Sequence, residues 1–159
     1  MIPFLRTTLG KRSLAGALFF GTALSACAAQ AANFTMYRDP GCGCCLAWAD
    51  HMRQGGEHTV DTVDHPDMGT VKAEAGVPDD VRSCHTVLVD GYVIEGHVPA
   101  ADVERLLTER PAGVTGLAVA GMPLGSPGME HGDHRQPYQV IAFGPDGRSI
   151  WASYPENAS

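Results

Sequence analysis

The run Phe34-Thr35-Met36-Tyr37-Arg38-Asp39-Pro40-Gly41-Cys42-Gly43-Cys44-Cys45-Leu46-Ala47-Trp48 decides how the rest of the chain is read. Phe34 to Arg38 has the apolar and aromatic content of a buried strand. Asp39-Pro40-Gly41 is a turn. A helix is predicted over Cys45 to Gln54, ended by Gly55-Gly56. Three cysteines therefore sit where a strand hands over to a helix N-terminus. Unpaired N–H groups and the positive end of the helix dipole favour thiolates there. Thiolates are redox nucleophiles, and they are also the soft ligands that select Cu(I), zinc or iron–sulfur clusters. The cluster points to thiol redox chemistry, metal binding or both.

Working outward, His58 to Val63 alternates as a second strand, and Asp67 to Ala75 reads as a modest helix. Val77-Pro78-Asp79-Asp80 restarts a short turn or helix. Thr86 to Val89 and Tyr92 to Ile94 form a hairpin about Asp90-Gly91. Pro99 to Arg110 is the clearest helix, with Val103, Leu106 and Leu107 as its apolar stripe. Gly113 to Asp133 shows no period and reads as a Gly/Pro/Met loop, long enough to imply function or mobility. Tyr138 to Phe143 and Ser149 to Tyr154 flank Gly144-Pro145-Asp146-Gly147 as a second hairpin. The order β-α-β-α-β-β-α predicts an α/β fold: a thioredoxin-like mixed sheet flanked by helices, with an added C-terminal β-hairpin.

The start of the chain reads as a targeting segment. Arg6, Lys11 and Arg12 form a basic region, followed by an apolar, small-residue stretch from Ser13 to Ala26, too short for a membrane span. Ala29-Gln30-Ala31 fits a signal-peptidase site, and Leu24-Ser25-Ala26-Cys27 fits the pattern at which bacterial lipoproteins are cleaved. Residues 1–31 are thus expected to be a signal peptide, with a lipoprotein signal ending before Cys27 as the alternative. Lys11-Arg12 is not a true twin-arginine pair, which favours Sec export. The expected location is periplasmic, with a membrane anchor only if Cys27 is lipidated. Residues 32–159 are expected to form one domain, and about 128 residues suffice for a real core. The leader holds three of the eleven basic residues and none of the eighteen acidic ones, so the remainder carries eight against eighteen, a net −10. That charge argues against nucleic acid or an anionic membrane surface as partner, and it is compatible with a metal ion.

Four cysteines remain after Cys27: Cys42, Cys44, Cys45 and Cys84. Two structural disulfides are the plain alternative for an exported protein. The spacing weakens it, because a bridge between neighbours Cys44 and Cys45 is strained and a loop from Cys42 is too small to stabilise much. Cys42 and Cys45 form a C-x-x-C after a first strand, the context of a thioredoxin-type redox pair. They are the candidate catalytic residues. The second piece is Ser83-Cys84-His85-Thr86-Val87-Leu88-Val89. Thioredoxin-like proteins place a cis-proline, then Thr and an apolar strand, beside the C-x-x-C. Cys84 and His85 occupy that register and would supply soft ligands facing Cys42, Cys44 and Cys45.

Other residues are weighed singly. Met122 and Met129 lie in the loop, where thioethers suit Cu(I); the alternative is loop methionines tucked onto the core. His131 and His134 either catch Cu(II) or belong to a solvated turn. His97, between a strand and a helix, reads first as a structural histidine and second as a ligand or its partner. Met36, Met52, Met68, His58 and His65 read as structural, and His51 as surface. Asp39 and Asp64 show no acid–base pairing, and nothing suggests a Ser/His/Asp nucleophile.

Four motifs together resemble a known family. They are Tyr-x-Asp-Pro-Gly-Cys-Gly-Cys-Cys from Tyr37, Ser83-Cys84-His85-Thr86, the segment Gly91 to Ala100 (Gly-Tyr-Val-Ile-Glu-Gly-His-Val-Pro-Ala), and Gly121 to Glu130 (Gly-Met-Pro-Leu-Gly-Ser-Pro-Gly-Met-Glu). The chain resembles the CopG-like periplasmic copper-resistance proteins from about Phe34 to Tyr154. The resemblance implies a thioredoxin-like fold, Cu(I) held at the C-x-C-C site and a role in periplasmic copper handling with redox interconversion of copper. It implies functional roles for Cys42, Cys44 and Cys45, and by extension for Cys84 and His85. The leading expectation is a periplasmic copper-binding protein and potential copper oxidoreductase, with copper ions and periplasmic copper-handling proteins as partners. A thiol–disulfide oxidoreductase acting on proteins is the alternative, and a zinc-binding interaction module the second.

Overall fold

The computed structural model describes residues 31–55 and 58–155. Residues 1–30 of the expected signal sequence, including Cys27, lie outside the described residues.

Seven strands form one mixed sheet in the order β2-β1-β3-β4-β5-β6-β7. They are β1 (Asn33–Arg38), β2 (Thr59–Asp64), β3 (His85–Val89), β4 (Tyr92–Glu95), β5 (Gly116–Ala118), β6 (Tyr138–Gly144) and β7 (Gly147–Tyr154). Three α-helices connect them: α1 (Gly43–Gly55), α2 (Met68–Glu74) and α3 (Ala100–Glu109). The mixed α/β class and the added C-terminal hairpin, β6 with β7, are as the sequence predicts. Among the described residues no helix is long and apolar enough to cross a membrane.

β1 runs parallel to β2 and antiparallel to β3. Phe34 and Met36 alternate inward from β1 and meet Trp48, Ala49 and Met52 of α1. Val87, Ile94, Val103, Leu106 and Leu117 continue this core across the sheet and α3. The Asp90-Gly91 turn takes φ of 47° and 83°, the two left-handed residues that a tight hairpin requires.

Two sequence expectations need correction. α1 begins at Gly43 rather than Cys45, so Cys44 and Cys45 both lie in its first turn. The segment from Gly113 to Asp133 is not all loop, because it contains β5. Three residues, Gly116-Leu117-Ala118, are too few to show a period. They become a strand through pairing with β4 on one side and β6 on the other. Gly116 is needed there, since a Cβ would collide with the Val93 carbonyl and the Phe143 ring.

Candidate metal centre

The β1–α1 junction is held rigidly. Asp39 Oδ1 accepts the Gly41 N–H at 2.8 Å, and the Asp39 carbonyl accepts the Cys42 N–H at 3.0 Å. Arg38 Nη1 donates to the carbonyls of Asp39 (3.2 Å), Pro40 (3.3 Å) and Cys42 (3.0 Å), while Nη2 pairs with Asp64 at 2.7 Å. One guanidinium thus gathers the carbonyls of the whole cysteine loop, using its fixed fork of donors. Cys45 turns into the core and is fully buried, whereas Cys42 and Cys44 are half-buried.

Cys42 and Cys45 are joined by a disulfide with a Cα–Cα distance of 5.5 Å. Cys44 and Cys84 are free thiols. Cys44 Sγ is 3.5 Å from Cys42 Sγ, and Cys84 Sγ is 3.6 Å from Cys45 Sγ. The expected approach of Cys84 to the C-x-C-C segment is therefore found. The pairing of β1 with β3 produces it, because Arg38 lies opposite His85 at one end of the sheet.

Two imidazoles complete the far side. Cys84 Sγ lies 3.3 Å from His85 Nδ1 and 3.1 Å from His97 Nε2. His97 Nδ1 is 2.8 Å from the Pro127 carbonyl, which can only accept. Nδ1 therefore carries the proton, and Nε2 offers its lone pair toward Cys84. His85 is fully buried, packed on Trp48 (ring centroids 4.8 Å) and edge-on to His97 (5.1 Å). Its Nε2 has no hydrogen-bond partner among the described residues. Trp48 is itself anchored by Nε1–H to the Val98 carbonyl at 2.8 Å.

The donors fall into two groups that share Cys84: Cys42, Cys44, Cys45 and Cys84, and then Cys84, His85 and His97. Within each group the ligand atoms all lie within 4.8 Å of one another. Four sulfurs and two imidazoles form a donor set suited to soft or borderline ions such as Cu(I) and zinc. A buried imidazole nitrogen without a partner fits the same use.

Electrostatics sort the donors. Burial pushes the Cys84 thiol up to about 12, with the neighbouring Cys44 adding to the shift. Cys84 is thus protonated at neutral pH in the metal-free protein, unlike the thiolates expected at a helix N-terminus. Burial holds His85 well below its ordinary value, helped by His97 and Lys72. Burial also lowers His97, against the opposing pull of the Pro127 carbonyl and Glu130. Both imidazoles are therefore neutral, the form that can ligate a metal.

The segment after β5 straps over the centre. Gly121 N–H reaches the Arg82 carbonyl at 3.1 Å, and the Gly121 carbonyl accepts from the Ser83 hydroxyl. Gly128 lies so close to α1 that a Cβ would stand 2.7 Å from Trp48 N and 2.8 Å from the Cys44 carbonyl. Glu130 then pairs with His51 at 2.7 Å. Met129, half-buried, sits between Gly128 and Glu130, and Met122 is 53% exposed beside Gly121. His131 and His134 stack on each other at 6.4 Å in an exposed turn, outside both donor groups.

His97, read in the sequence first as structural and second as a ligand or its partner, is buried and stands beside Cys84 in the second donor group. Its signal was position: Gly96-His97 follows β4, whose end lies beside the start of β3 and hence beside Cys84. Arg38 and Trp48 carried no chemical signal of their own.

The fold and this cluster define a class: a mixed α/β protein whose cysteines and histidines converge on a soft-metal donor set at one end of the sheet. A family described as protein of unknown function, DUF411, matches residues 81–129, which include Cys84, His85 and His97. No curated protein matches the chain. Two solved structures do. "Copper resistance protein copG- Form 2" is 43% identical with a TM-score of 0.75, covering 79% of this chain and 100% of that one. "Copper resistance protein copG- Form 1" is 44% identical with a TM-score of 0.73, covering 77% and 97%. The chain belongs to the CopG-like copper-resistance family.

Proposed function

We propose that the chain is a periplasmic copper-binding protein of copper resistance that holds Cu(I) on Cys42, Cys44, Cys45 and Cys84, with His85 and His97 as nitrogen ligands and Met122 and Met129 as outer thioethers. The observation that carries this reading is the position of Cys84, within 3.6 Å of Cys45 and 3.1 Å of His97, where it joins sulfur and nitrogen donors into one continuous set. In this reading residues 1–31 are the export signal, and the remainder is one thioredoxin-like domain.

The C-x-x-C adds redox chemistry. Two Cu(II) ions each take one electron from the reduced Cys42–Cys45 pair. The two thiols lose their protons and join as a disulfide, and two Cu(I) ions result. The free thiols Cys44 and Cys84 remain to hold Cu(I) after the bridge forms. Stopped-flow mixing of the reduced protein with Cu(II) tests this. Cu(I) is expected to appear together with loss of two thiols. Persistence of Cu(II), or thiol loss without Cu(I), removes the redox step and leaves only a binder. Anaerobic Cu(I) titration with X-ray absorption of sulfur and nitrogen ligation tests the binding itself.

The Cys42–Cys45 disulfide also supports a second reading, a thiol–disulfide oxidoreductase acting on proteins. Insulin reduction without tight Cu(I) binding would favour it. The occupation of the expected cis-proline register by Cys84-His85 weighs against it.

A further inference from the structure

Beneath Cys84 and His85 lies a buried ionic network. Glu95, on β4, is fully buried, and the Lys72 side chain on α2 is only 7% exposed. Glu95 Oε1 accepts from the Lys72 ammonium at 2.6 Å and from the Ser83 backbone N–H at 2.6 Å. Oε2 accepts the Thr86 hydroxyl at 2.7 Å, and that hydroxyl oxygen in turn accepts from Lys72 at 3.0 Å. Removing two charges from water is expensive, and a well-packed apolar pair of similar volume is often as stable or more so. Stability alone therefore does not account for this pair.

Its placement does. Ser83 and Thr86 flank Cys84-His85, and the two oxygens of one carboxylate hold them, one on each side. The Gly96 N–H to the His85 carbonyl at 3.0 Å pins the middle of the same corner. No described peptide bond is cis, so no cis-proline shapes the corner. A carboxylate whose two oxygens accept three hydrogen bonds in a buried site is stiff and favours one arrangement.

We propose that Glu95, charge-balanced by Lys72, is a positioning residue that sets Cys84 and His85 at the spacing the metal centre requires. The inference rests on the copper reading above. Supporting hydrogen bonds of this kind typically govern metal affinity by about 10–100-fold.

The experiment uses the processed chain in two series. The paired replacement Lys72→Met with Glu95→Leu removes both charges together. Thr86→Val removes one hydroxyl of the clamp, and Thr86→Ser restores it. Circular dichroism and urea unfolding establish that each variant folds. The paired variant and Thr86→Val are expected to lose about 10–100-fold in Cu(I) affinity, with fewer nitrogen neighbours in the X-ray absorption spectrum, and Thr86→Ser is expected to recover both. Wild-type affinity and ligation in Thr86→Val, or in the folded paired variant, would overturn the proposal. A metal-free readout separates it from the copper reading. The ¹⁵N resonances of the His85 and His97 rings are expected to move in Thr86→Val and return in Thr86→Ser. If wild type fails to bind Cu(I), the copper reading falls; unmoved ring resonances sink the positioning role by themselves.

Discussion

Cys84 Sγ lies 3.6 Å from Cys45 Sγ, although 39 residues of chain separate them. Burial pushes the Cys84 thiol up to about 12, so it carries its proton at neutral pH. Cu(I) ligation by Cys84 must displace that proton. Cys84 is expected to contribute about one decade of Cu(I) affinity per pH unit from acid up toward its own titration, while the neutral imidazoles contribute none near neutrality. Isothermal titration in buffers of different ionisation heat counts the protons released. Cys84→Ser is expected to release one fewer; an unchanged count would show that Cys84 is not a ligand.

The metal-free fold is expected to weaken in acid. His85 and His97 sit below their ordinary value in the folded chain, mainly through burial. As pH falls below about 6.5, the unfolded chain takes up protons that these two rings refuse. Their stability contribution is full above that value and is lost as pH drops toward the folded values. Urea midpoints at pH of about 7.5, 6.5 and 5.5 check the sign, and the difference between wild type and His85→Gln isolates the buried ring. A larger midpoint loss in acid for His85→Gln than for wild type would contradict the assignment.

Gly128→Ala attacks the strap. The residue sits at φ +83°, and its Cβ would press on Trp48 N and the Cys44 carbonyl. Left-handed backbone costs a non-glycine residue about 1–2 kcal/mol, and overpacking adds roughly 1–3 kcal/mol. The strap is expected to lift rather than α1 to move, because α1 is anchored in the core. Faster alkylation of Cys44 and a lower urea midpoint are the expected results; an unchanged alkylation rate would mean that the strap does not cover the thiol.

Trp48→Phe tests the floor under His85. It deletes the indole N–H that satisfies the Val98 carbonyl at 2.8 Å and leaves that acceptor buried. A loss of about 1–3 kcal/mol in urea unfolding is expected. A neutral result would indicate that another donor reaches Val98.

Much of this was legible in the sequence because the signals were local. The Phe34–Arg38 strand, the Asp-Gly hairpin and the Val103–Leu106–Leu107 stripe each follow from spacing within one element. The C-x-C-C and Ser-Cys-His-Thr segments announced a cluster of soft donors through residue type. What was not legible depends on contacts across the sheet. β5 exists only because β4 and β6 flank three unremarkable residues. The nearness of His97 to Cys84 comes from the β3–β4 pairing, which no local pattern reveals. Glu95 and Lys72 resemble surface residues in sequence, and only burial against Ser83 and Thr86 gives them meaning. The helix-terminus argument rested on the local β1–α1 junction, and it could not foresee the buried environment of Cys84, which raises its thiol instead.

The carbonyl of Pro127 fixes the tautomer of His97 from 30 residues downstream. A chain that has emerged only as far as α3 therefore has its thiols but not its oriented imidazole. In such a fragment no carbonyl fixes the proton of His97, and the arrangement of Cys84, His85 and His97 is complete only once the segment between β5 and β6 is in place. Maturation is in this sense ordered by topology. On the copper-binding reading proposed above, an ion that binds only the completed arrangement would stabilise the finished chain over any incomplete one by mass action.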